Sequence, residues 1–187
     1  MELEETTPSL YLEVEPYTKL RRKALRKLLV SLVRKEQIKE QDLKTVIDLG
    51  SYEGSSTIAL KDVGASTIIS VDKNKRALNS DKQSGYIDNP VESDIVDYVL
   101  EMEGDFQGTV TAFNCILYLP EENIHRMLGS LGEKLAPGSK FVFTFSKTQE
   151  DWVPKFRKAL NQDFSTELLT GLTSGELDSN CFVATKK

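Results

Sequence analysis

The 187-residue chain is poor in the residues that hold metals or staple small folds. It has two cysteines, Cys115 and Cys181, each in an apolar run. That excludes a disulfide scaffold and a multi-cysteine zinc site. Its one histidine, His125, excludes a His-rich metal site and any Ser-His-Asp triad that does not use it. Long apolar runs are missing too. The longest, around Leu28–Val33 and Cys115–Pro120, reach about six residues, where a membrane span needs about 20. The opening MELEETTPSL is acidic and lacks an apolar core, so it does not read as a signal peptide. The expectation is a cytoplasmic protein with no membrane span. There is no internal repeat and no low-complexity segment.

What is present is an ordinary globular mix, with 39% hydrophobic and 28% charged residues, enough to build one domain without metal or disulfide. The net charge is −5, but it is unevenly spread. Residues 1–18 hold five glutamates and no basic residue, whereas residues 19–35, KLRRKALRKLLVSLVRK, hold eight basic residues and no acid. Two readings stay open for this basic segment. It is either a solvated helix face and lid, or a contact for a polyanion such as nucleic acid or anionic lipid.

Periodicity sets the elements. Residues 1–16, with Pro8 and Pro16, read as a mobile tail. From Tyr17 to Lys39 the pattern is helical, with Leu25, Leu28, Leu29, Leu32 and Val33 on one stripe. Short β-branched runs then alternate with helical ones. Strands are expected at Thr45–Leu49, Thr67–Val71, Gly85–Asp88, Thr109–Cys115 and Lys140–Phe145. Helices are expected from Ser55, over Lys73–Lys82, Glu92–Glu103, Glu121–Leu135 and Asp151–Leu160. Ser165–Leu169 and Cys181–Thr185 close the chain as a hairpin around the turn-rich TGLTSGELDSN. This order predicts an α/β fold: a doubly wound, seven-stranded, mostly parallel sheet with a C-terminal antiparallel hairpin strand, preceded by an N-terminal helix. Residues 1–43 are read as acidic tail and basic helix, capping the domain at 44–187.

In such sheets ligands bind at the carboxyl ends of the strands. The first strand ends in Asp48-Leu49-Gly50-Ser51-Tyr52-Glu53-Gly54. A dinucleotide loop wants a glycine where Tyr52 stands, and Glu53 would repel a pyrophosphate. Both features disfavour a nucleotide oxidoreductase. Asp72 ends the second strand 22 residues after Gly50, where a carboxylate can accept both hydroxyls of a ribose. The pattern suits a nucleoside ligand without phosphates.

Together, VIDLGSYEG at 46–54, IISVDKN at 68–74, FNCILYLPEENIHRML at 113–128 and KLAPGSKFVFTFS at 134–146 resemble the class I (Rossmann-like) S-adenosylmethionine-dependent methyltransferases. The likeness covers roughly residues 44–187. It implies S-adenosylmethionine as cofactor and a cofactor site built from Asp48, Gly50, Ser51, Tyr52, Gly54, Asp72, Lys73, Asp88 and Asn114. In that resemblance Gly50 and Gly54 line the methionine end and Asp48 approaches its amino group. Asp72 binds the ribose, Lys73 or Asn74 lies beside the adenine, Asp88 meets the adenine amino group, and Asn114 sits near the sulfonium. The implied activity is in-line methyl transfer to an O or N of a small-molecule or macromolecular acceptor. The alternative is a non-catalytic protein of the same fold that acts as a binding or regulatory partner. No catalytic residue and no metal ligand is implied.

Five further residues carry open readings. His125 is a general base or a helix-surface residue. Tyr118 lines an acceptor pocket or is surface. Tyr52 covers the cofactor or faces the acceptor. Cys115 reads as a buried core thiol and Trp152 as a packing residue.

Overall fold

The structure is a computed structural model, and it describes residues 10–75, 78, 88–146, 151–169 and 179–187. Helix α1 (Leu10–Arg34) leads through a 3-10 turn (Glu40–Leu43) into β1 (Thr45–Leu49) and α2 (Ser55–Asp62). Then come β2 (Thr67–Asp72), β3 (Asn89–Glu92), α3 (Ile95–Glu101), β4 (Thr109–Phe113) and α4 (Glu121–Lys134). The chain ends with β5 (Lys140–Ser146), α5 (Val153–Leu160), β6 (Phe164–Leu169) and β7 (Ser179–Lys186).

The seven strands form one sheet in the order β3-β2-β1-β4-β5-β7-β6. β3, β2, β1, β4 and β5 run parallel, while β7 pairs antiparallel with both β5 and β6. The strands are apolar on both sides because both faces are covered. On one face Leu25, Leu28, Leu29 and Leu32 of α1 pack with Ala59 and Leu60 of α2 over Val46, Ile68, Phe113 and Val142. On the other, α3, α4 and α5 cover Ile47, Leu49, Val110 and Ala112, together with the rings of Phe141, Phe143 and Phe145. Phe143 is the hub of that wall, with ring centroids 4.9 Å from Phe141 and Phe156 and 5.1 Å from Phe182.

Three expected boundaries are corrected. The first helix starts at Leu10, inside the stretch read as a tail, and stops at Arg34 rather than Lys39. It stops because Glu36 turns left-handed (φ +57°). Glu36 N–H then donates to Val33 O, and Gln37 N–H to Leu32 O, both at 3.0 Å. This is a Schellman cap, for which the sequence signal is normally glycine, so a glutamate hid it. The third strand is Asn89–Glu92, four residues later than expected, in parallel register with Ile69–Asp72. Pro90 argued against a strand there, but β3 is the sheet edge, where a missing donor is tolerated. Residues 1–9, 85–87 and 170–178, and most of the expected Lys73–Lys82 helix, lie outside the described residues. Among those described, no helix is long and apolar enough to cross a membrane.

Candidate active site

The carboxyl ends of β1, β2, β3 and β4 meet at one cleft of about 390 Å³, lined by residues of all four strand ends and of α1. The turn after β1 makes its floor. Gly50, Tyr52 and Gly54 all have positive φ (+70°, +46° and +72°), so the loop doubles back tightly. Gly50 N–H donates to Val71 O at 2.8 Å, which lays the loop over the end of β2. Glycine carries two of these three conformations without cost; Tyr52 carries the third with strain.

Asp72, at the end of β2, is the anchor. Its two carboxylate oxygens accept Tyr52 N–H and Asn74 N–H, each at 2.8 Å. It is 8% exposed and lines the cleft. A carboxylate has about four acceptor directions, so each oxygen keeps one for a ligand hydroxyl.

Asp48 lies behind the floor. It is fully buried and accepts Ser56 Oγ (2.7 Å), Thr57 Oγ1 (2.8 Å) and Thr111 Oγ1 (3.0 Å). Burial pushes its carboxyl above the ordinary aspartate value, and the three hydroxyls offset part of that. Ser56 and Thr57 therefore tie α2 to β1. The helix N-cap is Gly54, which has no side chain to cap with, rather than one of the hydroxyl residues.

Of the nine residues read as cofactor-binding, Gly50, Tyr52, Asp72, Lys73 and Asn114 line the cleft. Asp48, Ser51 and Gly54 stand outside its lining. Ser51 Oγ is buried with no hydrogen-bond partner among the described residues. Asp88 is placed elsewhere altogether. With β3 shifted, it precedes the strand rather than ending it, accepts Ile68 N–H at 3.0 Å and pairs with Lys61. Ile68 lies near the start of β2, so Asp88 sits at the amino ends of the strands, away from the cleft at their carboxyl ends. Burial is the largest single influence and raises its carboxyl, but the Lys61 hydrogen bond, the Ile68 N–H and the Lys61 charge together outweigh it and hold it below the ordinary value.

Asp94 takes the position that Asp88 was read for. It follows β3, caps α3 by accepting Val96 N–H at 2.8 Å, and lines the cleft beside Ile95. The signal was present in Ser93-Asp94 before the apolar Ile95-Val96, an N-cap pattern, but the misplaced strand concealed it. Arg21 was also missed, because it lies inside a basic run.

Asn114 follows β4 in a left-handed conformation (φ +55°). Thr144 holds it there: Oγ1 donates to Asn114 Oδ1 at 2.9 Å, and Asn114 N–H reaches Thr144 O at 3.1 Å. Cys115 lines the cleft and donates Sγ–H to Leu49 O at 3.3 Å. Burial pushes its thiol up to about 12, so it stays protonated and is no nucleophile. Tyr52 (45% exposed) and Tyr118 (88%) stand at the mouth. His125 is an exposed α4 residue 3.7 Å from Glu121 and takes no part in the cleft. Trp152 packs on Phe156, with Lys155 Nζ 4.4 Å above its ring.

Seven of the eight basic residues in the segment 19–35 fall into three groups. Arg21 enters the cleft and donates to Phe113 O at 3.1 Å. Arg22 pairs with Asp62 at 2.9 Å. Lys23, Arg26, Lys27, Arg34 and Lys35 line an outer groove with no acid in its lining, although Arg26 also reaches Asp62 at 3.8 Å. Among the described residues, no group of three or more His, Cys, Asp or Glu is placed to hold a metal ion.

No family model matches the chain, and a search of curated proteins finds no match. Solved structures do match. Magnesium protoporphyrin IX methyltransferase from Synechocystis, solved with bound S-adenosylmethionine, is similar at a TM-score of 0.67 and 19% identity, over 90% of this chain and 80% of that one. A TehB-like S-adenosylmethionine-dependent methyltransferase from Corynebacterium glutamicum gives 0.66 and 16%, covering 88% of each chain. An S-adenosylmethionine-dependent methyltransferase from Archaeoglobus fulgidus gives 0.65 and 15%, over 86% of this chain and 94% of that one. At such identities the likeness is one of architecture: this chain has the fold of the class I S-adenosylmethionine-dependent methyltransferases.

Proposed function

We propose that this protein is an S-adenosylmethionine-dependent methyltransferase that transfers a methyl group to an O or N of its acceptor. The observation that carries this reading is the cleft itself. A glycine floor at the end of β1 and a buried carboxylate at the end of β2 face one space, with Asp94 after β3 and Asn114 after β4. The donor set fits the cofactor. Asp72 has acceptor capacity for the ribose hydroxyls, and Asp94 and Ile95 offer a polar and an apolar side for adenine. The buried Ser51 hydroxyl has no partner among the described residues.

The bound cofactor supplies an electrophilic sulfonium methyl. The work left to the chain is alignment and exclusion of water. Asp72 fixes the nucleoside end. Asn114, clamped by Thr144, gives the reaction end a rigid wall. Tyr52 and Tyr118 are the side chains that an acceptor meets first. Neither His125 nor Cys115 serves as base, the one being outside the cleft and the other held protonated.

Isothermal titration with S-adenosylmethionine and S-adenosylhomocysteine tests the reading, followed by methyl transfer from labelled cofactor to a panel of acceptors. Micromolar binding is expected. Binding without any transfer, or no heat with either ligand, would overturn the methyltransferase reading and favour the non-catalytic alternative. The outer groove of α1 supports a second contact, with a phosphate-bearing polymer, confined to Lys23, Arg26, Lys27, Arg34 and Lys35.

A further inference from the structure

Arg21 sits where no solvated basic residue would. On α1 it lies at helical spacing from Leu25, Leu28 and Leu32, the stripe that packs on the sheet. Its side chain therefore runs inward, away from the outer face that carries Lys23 and Lys27. Nη2 donates to Phe113 O at 3.1 Å, at the carboxyl end of β4, and the side chain lines the cleft with Gly50, Asn114 and Cys115.

That contact uses one of five guanidinium N–H donors, and its acceptor is a neutral carbonyl. No carboxylate among the described residues pairs with Arg21. Asp48 is within electrostatic reach but is committed to three hydroxyls. A half-buried, delocalised cation with donors to spare is a site for an anion, and its planar fork suits a carboxylate.

The cleft is therefore polarised along the sheet. Asp94 and Asp72 stand over β3 and β2, and Arg21 over β4, with β1 between. From β2 to β4 is two strand spacings, about 10 Å. Lys73 is the other cation of the lining, but it is exposed and adjoins Asp72, at the acid end. A ligand that spans the cleft meets acceptors first and a guanidinium last.

We propose that Arg21 binds the α-carboxylate at the amino-acid end of the cofactor, which makes α1 part of the cofactor site rather than a detached cover. This rests on the methyltransferase reading above. The two are separated by a pair of ligands: S-adenosylhomocysteine, which has the carboxylate, and 5′-methylthioadenosine, which lacks the whole amino-acid end. Titration calorimetry compares both on the full chain, on Arg21→Gln and on Arg21→Met. Gln keeps polar donors without the charge, and Met keeps the apolar stem, so a melting curve of each shows which variant retains the fold.

In the parent, both ligands are expected to bind. Arg21→Gln is expected to weaken S-adenosylhomocysteine by about 10- to 100-fold while leaving 5′-methylthioadenosine within about twofold. Equal weakening of both ligands, or of neither, would overturn the role of Arg21 and leave the methyltransferase reading intact. A parent that binds neither ligand would overturn the methyltransferase reading, and the role of Arg21 with it.

Discussion

Gly50 and Cys115 touch so closely that a Cβ on the first would stand 2.8 Å from the Cβ of the second and 3.0 Å from its sulfur. The contact brings the turn after β1 against the turn after β4, and both turns line the cleft. Gly50 also holds φ at +70°, so an L side chain meets strain as well as collision. Gly50→Ala is expected to lower stability by at least about 2 kcal/mol, a fall in Tm of roughly 4–8 °C for a chain of this size. Cofactor affinity is expected to fall with it. A scanning-calorimetry Tm within a degree of the parent would show that the loop is not held this tightly.

Asp72 has two jobs that one substitution can separate. Asp72→Asn keeps one acceptor oxygen and loses the charge, so one of the Tyr52 and Asn74 N–H bonds survives. Ligand affinity is expected to fall about 10- to 100-fold, from charge-assisted bonds worth about 1.5–3 kcal/mol. Asp72→Ala loses both loop bonds as well and is expected to lower Tm further. Titration with S-adenosylhomocysteine beside a melting curve reads the two effects separately.

Tyr52 is strained in place and nearly half exposed. Tyr52→Gly removes the strain and little buried area, so Tm is expected to hold or to rise by the equivalent of about 1 kcal/mol. Methyl transfer is expected to drop once an acceptor is in hand, since the mouth loses one of its two aromatic side chains. A Tm several degrees lower would mean that the ring packs more firmly than its exposure implies.

The buried Asp48 gives a pH signature. Its folded carboxyl is raised above 3.8. Between that value and the raised one, the folded state binds more protons than the unfolded, so stability falls as pH rises through the window. Asp48→Asn removes this contribution. The Tm of the variant minus that of the parent is therefore expected to increase from about pH 4 upward and then level off. A difference that stays flat over that range would mean that Asp48 ionises as readily in the fold as in the open chain.

If the outer face of α1 contacts a polyanion, binding comes from released counterions and falls steeply with salt. Replacing Lys23, Lys27, Arg34 and Lys35 by alanine is expected to flatten that slope for transfer RNA, while Arg21→Gln is not. Fluorescence anisotropy at two salt concentrations decides it. No binding at about 50 mM salt would leave the groove a solvated face.

The sheet was readable in the sequence because its central strands are β-branched and buried on both sides. VIDLG and IISVD declare both strand and strand end, and Gly50 and Asp72 follow from them. What escaped was geometry that local pattern does not encode. Pro90 disguised an edge strand, and that error carried the acid at the end of β3 from Asp94 to Asp88. Glu36 disguised a helix end that glycine would have announced. Arg21 was invisible among seven basic neighbours, because only the packing of the leucine stripe decides which of them turns inward. Asp48 was legible as a strand-end acid, but not as a hub for three hydroxyls, two from α2 and one from β4.

One face of the sheet is built from both ends of the chain. Leu25, Leu29 and Leu32 near the start share a core with Leu169, Cys181 and Val183 near the finish. A ribosome works from one end only. The first helix therefore leaves the exit tunnel long before the last strands that complete its seat have been made. Until β6 and β7 have been made, its leucines stay partly uncovered, open to chaperones or to another nascent chain. If Arg21 is the carboxylate holder, the cleft also waits for that last step.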